Sequence, residues 1–540
     1  MNPVQQLLTE NIGLWTGADT AKKSGRGRAS GSAGTVYGIK KLRELILEFA
    51  VRGKLVPQDA NDESAGVLLE RIREEKARLV PDGKIKKSNS IAEIASDEKT
   101  FALPQQWEWV RFGAIYSLEY GDNLPAGKRS NSGEYPVYGS NGIVGSHNIS
   151  FVKSPCIVVG RKGSAGALNL SLCAGCCVTD VAYYCIPPKC LDLIFSFKLF
   201  HSLGLDHLGK GIKPGLNRND VYELLIAIPP IAEQHRIVAK VDELMALCDQ
   251  LEAGHVDAVD AHEKLVSHLL ATLTASQDST DFSASWQRIA AHFDMLFTTE
   301  ASIDALKQTL LQLAVMGKLV PQDSNDEPAS VMLKRYEVSS IKATSSGWCH
   351  VPLGKLGVVY GGATPSKAKH EYWAGTIPWV SPKDMKRFYI DDAEDSVSEN
   401  AVSETSLKII PPGSLLMVVR GMILAHSFPV ALTTCEVTIN QDMKALLIPD
   451  EIKEYMLLYL RAMKHVFVGL VDRSSHGTCK IISEKLWAAS VTIPPKKEQD
   501  RIAAKVDELM ALCDRMKKRI ADAGALQRKL ADVIVAQAIA

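Results

Sequence analysis

The chain is written twice, and no other feature restricts its fold as tightly. Gly53 to Ala65, GKLVPQDANDESA, returns as Gly317 to Ala329, GKLVPQDSNDEPA, identical at 11 of 13 positions and offset by 264 residues. Arg236 to Asp249, RIVAKVDELMALCD, returns as Arg501 to Asp514, RIAAKVDELMALCD, identical at 13 of 14 and offset by 265. Each copy of the second box follows an Ile-Pro-Pro and a Glu-Gln pair. Two boxes repeating at nearly one offset mean that a whole module was duplicated, with the boxes at its ends and about 170 residues between them. Between the boxes the copies diverge almost completely, and YGSNGIVGSHN in the first half has no evident counterpart in the second. Domains usually hold roughly 100 to 200 residues, so 540 residues fit two large units plus connectors.

The boxes read as helical. Leu42, Leu45, Ile46, Phe49 and Ala50 share one helical face, as do Leu306, Leu310, Leu313 and Ala314. Gly53 and Gly317 then stand where a helix C-terminus favours positive φ. Ile502, Val506, Leu509, Cys513, Met516, Ile520 and Ala523 alternate steps of four and three, the seam of a coiled coil. Ile237, Val241, Leu244, Cys248 and Leu251 repeat it; the pattern fades near His255 and resumes through Val259, Leu265, Val266, Leu269 and Leu273. One helix over Glu233 to Ser276 would be roughly 60 Å long at about 1.5 Å per residue. An ordinary helical hairpin has the same seam; what suggests a ruler is that central helices near 233–276 and 303–338 separate two unlike domains. Terminal helices near 39–80 and 497–538 would pair with each other.

The expected fold class is α+β: two mixed, strand-rich domains separated by long antiparallel coiled-coil helices, with a pseudo-twofold internal repeat. The boundaries read as a flexible N-terminal extension at 1–38, carrying KKSGRGRASGSAG, and an N-terminal helical repeat region at 39–100. A first strand-rich domain follows at 101–230, a central helical spacer at 231–344, a second strand-rich domain at 345–495 and a C-terminal helical repeat region at 496–540. Residues 277–300 read as an insertion within the spacer. The domains at 101–230 and 345–495 hold short apolar runs such as CIVVG, SLLMVV and YPVYG, broken by Gly, Pro, Asn and Ser. Both end alike, in GIKPGLNRNDVYELLIAIPP and HGTCKIISEKLWAASVTIPP.

Their loops carry side chains suited to a DNA groove. The candidates in the first domain are Lys128, Arg129, Tyr138, Asn141, Arg161, Lys162, Lys213, Asn217 and Arg218. In the second they are Thr364, Ser366, Lys367, Tyr372, Trp373, Trp379, Ser381, Lys383, Asp384, Arg420, Arg473, Ser474, His476 and Lys480. Arg and Asn can make bidentate contacts to guanine and adenine edges, whereas Lys, Ser and Thr mostly fix register on phosphates. Any one of them taken alone is also an ordinary solvated surface residue. Bulk charge does not favour nucleic acid, because Lys plus Arg equals Asp plus Glu at 62 each. A basic face still works locally, since charges act within roughly 10 Å before salt screens them.

These boxes and loops resemble one known family. GKLVPQD with NDE, IPP with EQ, RI and KVDELMALCD, PVYGSNGIVGSHN with VVGRKGSAGA, and GGATPS with YWAGTIPWVSPKDM and VTINQDMKAL are similar to specificity subunits of type I restriction-modification enzymes. The resemblance covers about residues 39 to 538. It implies two target-recognition domains, each reading half of a split sequence on double-stranded DNA, with helical repeats setting the gap and holding two methyltransferase (modification) subunits. Up to two restriction/translocase subunits are further partners. It implies no cofactor on this chain; S-adenosylmethionine, ATP and magnesium belong to the partners, whose methyltransferase acts on adenine N6.

Signatures of catalysis fit poorly. GLDHLGKG, Gly204 to Gly211, has the spacing of a phosphate-binding loop through Lys210, but ends in Gly211 where Ser or Thr should bind magnesium, and it follows a helix-like run. No Asp-Pro-Pro-Tyr or Asn-Pro-Pro-Phe/Tyr corner of an amino-methyltransferase occurs. Cys173, Cys176, Cys177, Cys185 and Cys190 could be weighed as a zinc site, yet CCVTDVAYYCI reads as a buried strand with core thiols. Eleven scattered cysteines, no apolar run near the roughly 18 residues that cross a bilayer, and no secretory signal point to the cytoplasm and away from membranes. Two rivals remain at this stage: a self-sufficient restriction enzyme, and a duplicated non-DNA adaptor whose lobes bind peptides or glycans.

Overall fold

The computed structural model describes residues 7, 9–18, 36–79, 94–210, 215–276, 278–473 and 479–539. They form two compact units, one of residues 1–258 with 523–540 and one of residues 259–522. The division falls inside both long helices, Ile231–Ala275 and Lys496–Ile539. Among the described residues no helix is long and apolar enough to cross a membrane.

In the first unit the helix Tyr37–Val51 buries Ile39, Leu42, Leu45, Ile46, Phe49 and Ala50. They share a core with Ile237, Val241, Leu244 and Cys248 of the first long helix and with Ala531 of the second. Ion pairs rim the contact: Arg43 reaches Asp249 at 2.6 Å and Glu252 at 2.9 Å. The extension expected to be flexible contains the helix Ile12–Gly17, whose Trp15 is fully buried in the same core; KKSGRGRASGSAG lies outside the described residues.

Each helix that opens a module ends where the first box begins, as Gly53 and Gly317 led one to expect, and a second helix follows the box, so the helical stretches near 39–80 and 303–338 each hold two helices. The first pair is Tyr37–Val51 and Ala65–Leu79, the second Glu300–Val315 and Ala329–Lys334. Gly53 turns left-handed at φ 67°, and the Lys54 N–H reaches back to the Phe49 carbonyl at 3.0 Å. Gly317 does the same at φ 71°, with Lys318 N–H on Leu313 at 3.0 Å. The insertion at 277–300 forms the helix Ser279–Ala291, whose first N–H groups are capped by Asp278, and its Ile289 packs with Val266 and Leu270.

The two boxes of each module touch each other, which gives a physical reason for their joint identity in the two halves. Glu233, with no exposed surface, accepts from Trp107 Nε1 at 2.9 Å and Gln58 Nε2 at 2.7 Å. Arg236 pairs with buried Asp62 at 2.6 Å, and Gln234 Nε2 donates to the Pro229 carbonyl at 3.0 Å. The second module repeats three of the four bonds, Trp348 Nε1 to Glu498 at 2.9 Å, Arg501 to Asp326 at 2.7 Å and Gln499 to Pro494 at 2.9 Å, while the second Glu498 oxygen has no hydrogen-bond partner among the described residues where Glu233 has Gln58. Burial pushes both glutamate pKa values up, and the tryptophan donors pull them partly back. An unpaired buried carboxylate would be costly, so Trp, Glu, Asp and Arg are fixed as a set.

Among the described residues, the strand-rich part of the first unit has nine strands: β1 Glu108–Arg111, β2 Glu119–Tyr120, β3 Tyr135–Gly139, β4 Gly142–His147, β5 Cys156–Gly160, β6 Leu168–Ser171, β7 Cys177–Val178, β8 Ala182–Cys185 and β9 Leu225–Ile228. Their sheets run β2-β8-β5-β6, β4-β3-β7 and β1-β9. The second unit holds β10 Lys342–Ala343, β11 Cys349–Pro352, β12 Val358–Gly361, β13 Ile377–Val380, β14 Tyr389–Ile390, β15 Asp395–Val397, β16 Ser414–Val418, β17 Val430–Thr433, β18 Thr438–Ile439, β19 Met443–Leu447, β20 Val471–Arg473, β21 Cys479–Ile481 and β22 Ser490–Ile493. Their sheets run β12-β19-β16-β17-β14, β15-β13-β18, β10-β11-β22 and β20-β21.

The strand orders coincide. β12-β19-β16-β17 repeats β2-β8-β5-β6, β15-β13-β18 repeats β4-β3-β7, and β11-β22 repeats β1-β9. In both three-stranded sheets the first pairing is antiparallel and the second parallel. The segment YGSNGIVGSHN therefore has a counterpart after all. It is the tight β3–β4 hairpin, matched by β13 and β15 with a long connection between them. Sequence hides this because ladder hydrogen bonds come from the backbone and a buried strand asks only for apolar bulk. β5 (CIVVG) and β16 (SLLMV) are buried throughout and carry the two cores.

Candidate nucleic-acid interface

Where each buried central strand leaves its core, the chain makes one turn that recurs in both units. After β5 the N–H groups of Arg161 and Lys162 both donate to the Val181 carbonyl, at 2.9 and 3.0 Å, and the Arg161 carbonyl accepts from Leu216 at 2.9 Å. After β16, Val419 and Arg420 both donate to the Asp442 carbonyl, at 2.8 and 3.2 Å, and the Val419 carbonyl accepts from Ile481 at 2.9 Å. Lys162 bridges to Gly215, and Arg420 to Lys480. Lys162 and Arg420 thus hold one position in two unlike sequences. Beside the turn, Gly121 and Gly362 press against parallel-strand carbonyls. A β-carbon would lie 2.2 Å from the Thr179 oxygen at the first and 1.9 Å from the Asn440 oxygen at the second, so only glycine fits either place.

In the first unit this turn gathers Arg161 and Arg218 around Tyr120. The two guanidinium carbons lie 4.7 and 4.8 Å from the Tyr120 ring centroid, and Arg161 is 5.8 Å from Tyr183. Backbone carbonyls anchor both: Arg161 donates to Asp180 at 2.9 Å and Arg218 to Leu118 at 3.4 Å. Burial pushes the Tyr183 hydroxyl pKa up. Lys162 is exposed next to Arg161, Lys128 is exposed at the end of the short turn Ala126–Lys128, and Asn141 is exposed at the β3–β4 tip. Arg129 is engaged by the Leu124 and Val144 carbonyls at 3.3 and 2.9 Å. Asn217 caps the helix Arg218–Tyr222 by accepting from Asn219. Tyr138 is buried against Val158 and Val178, which gives its ring a packing role and removes it from a surface that a duplex could touch. Lys213 lies outside the described residues.

In the second unit Arg420 is exposed, with Asp442 no nearer than 3.9 Å, and Lys480 is its neighbour across the bridge. Arg473 is exposed at the end of β20. The connection from β20 to β21 holds Ser474 and His476, which lie outside the described residues. Thr364 is exposed and hydrogen-bonded to Gln441; Ser366 and Lys367 are exposed beside it. Lys383 sits 3.4 Å from Glu394 and 3.5 Å from Asp395, which hold its amino group protonated. Four candidates, Tyr372, Trp379, Ser381 and Asp384, are buried and structural rather than accessible. Trp379 donates to the Ala363 carbonyl at 3.0 Å and meets half-buried Trp373 edge-on at 5.0 Å. Tyr372 is buried on Glu404 at 2.7 Å, and buried Ser381 bonds Asp384 at 2.9 Å while Asp384 accepts from the Glu394 N–H.

Sequence reasoning missed Tyr120, Tyr183 and Lys444, which the register places at or beside the turn, and Gln441, the neighbour of the Asp442 carbonyl that closes it. An exposed tyrosine between Glu119 and Gly121 carries no periodic signal, and only the repeated glycine before each parallel strand pairing could have pointed to it. Among the described residues no group of three or more His, Cys, Asp or Glu is placed to hold a metal ion; Cys176, Cys177 and Cys185 are buried, Cys173 exposed.

Residues 104–260, and again 345–523, match the family described as "Type I restriction modification DNA specificity domain". The chain belongs to that family. The specificity subunit of type I restriction enzyme EcoAI from Escherichia coli is 32% identical over an alignment of 603 residues, covering 99% of this chain and 100% of the relative. That of EcoEI, also from Escherichia coli, is 32% identical over 601 residues with the same coverage. A third specificity subunit, of EcoR124I/EcoR124II, is 38% identical over 181 residues, 33% of this chain and 44% of its own. Each family match runs from a strand-rich domain into a long helix, so the specificity family is defined on the fillings together with the second box.

Proposed function

We propose that this chain supplies the DNA-sequence specificity of a type I restriction-modification complex. Residues 101–230 and 345–495 act as two target-recognition domains, each reading half of a bipartite site. The observation that carries this reading is one backbone turn presented twice with different side chains, Arg161 and Lys162 in one unit, Val419 and Arg420 in the other. A shared frame with unlike surfaces is what two different half-sites require, since base edges are told apart by the donors and acceptors offered to them.

In this reading the chain is not an enzyme and binds no cofactor. S-adenosylmethionine sits on two methyltransferase subunits that dock on the helical regions at 39–100, 231–344 and 496–540; ATP and magnesium sit on restriction subunits. The long helices pair as antiparallel coiled coils related by a pseudo-twofold axis, and their length sets the spacing of the half-sites. The partner must swing the target adenine out of the stack before methylating it. The complex works on chromosomal DNA in the cytoplasm. Methylation-sensitive long-read sequencing of the host's DNA, with and without this chain, tests the proposal. One split motif methylated only when the chain is present supports it; unchanged methylation, or methylation by the purified chain alone, refutes it.

A further inference from the structure

Resting on that DNA-reading proposal, we propose that Arg161 and Arg218, stacked on Tyr120, form an anion clamp that grips the phosphodiester backbone of the first half-site and does not read bases. Three observations carry this. First, two guanidinium groups sit around one ring, at 4.7 and 4.8 Å from its centroid, which puts them at most about 9.5 Å apart and so within the roughly 10 Å over which like charges repel at moderate salt. Second, among the described residues neither has a carboxylate partner, and Asp220, two residues from Arg218, is held by Lys210 at 2.7 Å. Third, the pair is pre-set: the Tyr120 ring and the carbonyls of Asp180 and Leu118 fix both side chains, so little conformational freedom is left to lose on binding.

Two fixed, uncompensated cations around one ring call for an anion that offers several acceptor oxygens. A backbone phosphate does so; a guanine edge is satisfied by a single fork. Tyr120 is 47% exposed, which leaves the outer rim of the cluster open to a ligand. Lys162, exposed on the same turn, adds a third positive charge. The clamp would set the register of the first domain on the duplex while base readout falls to other loops.

The test uses the full chain assembled with its methyltransferase partner, titrated with a duplex bearing its methylated motif and with scrambled duplexes, across a salt series. Arg161→Gln and Arg218→Gln should each weaken binding to all duplexes alike, flatten the slope of log affinity against log salt by about 1, and leave the methylated motif unchanged. Tyr120→Phe should keep wild-type affinity, because the ring remains, and Tyr120→Ala should weaken it with the same sequence-independent signature. A loss confined to one base pair of the first half-site would overturn the clamp in favour of base readout, and unchanged affinity and slope would overturn it outright. Wild-type complex that ignores its motif would instead sink the underlying reading along with the clamp. Should an arginine variant fold poorly, the Tyr120→Phe and Tyr120→Ala pair carries the same decision.

Discussion

Replacing Trp107 by Phe removes the indole N–H donor, along with part of a buried ring, from the joint between the two boxes of the first module and leaves its twin untouched. The indole Nε1 donates at 2.9 Å to Glu233, a carboxylate with no exposed surface that burial already pushes toward protonation. A hydrogen bond to a charged group is worth about 1.5 to 3 kcal/mol, and a buried acceptor left short of a partner loses most of that. Gln58 at 2.7 Å remains, so the expected cost is about 2 kcal/mol, at the lower half of that range. The sign with pH follows from the direction of the shift. The folded Glu233 pKa lies above its unfolded value, so this group's contribution to stability falls as pH rises through that window. Trp107→Phe removes a bond that lowers the pKa, so the penalty should be largest where Glu233 is ionised and shrink as falling pH protonates it. Hydrogen exchange on the full chain reads this out locally, with protection lost at 53–65 and 231–249 and retained at 317–329 and 501–514. Equal loss at both modules, or a penalty that does not shrink as pH is lowered, would refute the assignment of Glu233 as the responsible group.

Asp326→Asn should weaken the second module by about 1 to 3 kcal/mol, since it takes the charge from a buried partner of Arg501 at 2.7 Å; urea denaturation of the variant beside wild type checks it. Gly362→Ala should be worse than Ala at ordinary surface glycines, because the new carbon would sit 1.9 Å from the Asn440 oxygen; soluble yield and loss of exchange protection at β12 and β19 are the readouts. Arg420→Ala should reduce complex binding to its DNA while leaving melting temperature within about 1 °C, because the Asp442 carboxylate is 3.9 Å away and exposed ion pairs contribute little.

The frame was legible in the sequence and the fillings were not, for one physical reason. In the frame, specific side chains bond to each other across the module, Asp62 with Arg236 and Trp107 with Glu233, and any change strands a buried charge. Such contacts leave identical residues in both copies. The heptad positions Ile237, Val241, Leu244 and Cys248 were readable for a similar reason, since each is buried in one core. In the fillings the common strand order is held by backbone bonds and by apolar bulk, so CIVVG and SLLMV serve the same strand with no identical residue. Residue type also misleads about exposure. Tyr138, Tyr372, Trp379, Ser381 and Asp384 are chemically suited to a groove, yet all are buried and engaged within the protein. Tyr120 was missed for the converse reason, because its importance lies in Arg161 and Arg218, which only folding brings to it.

The duplicated frame with unlike readers is tested most directly by exchanging residues 101–230 for those of a relative, co-expressing the chimaera with the methyltransferase, and sequencing the methylated DNA. One half of the recognised motif should change while the other half and the spacing stay as they were. A chimaera that alters both halves, or neither, would contradict the account.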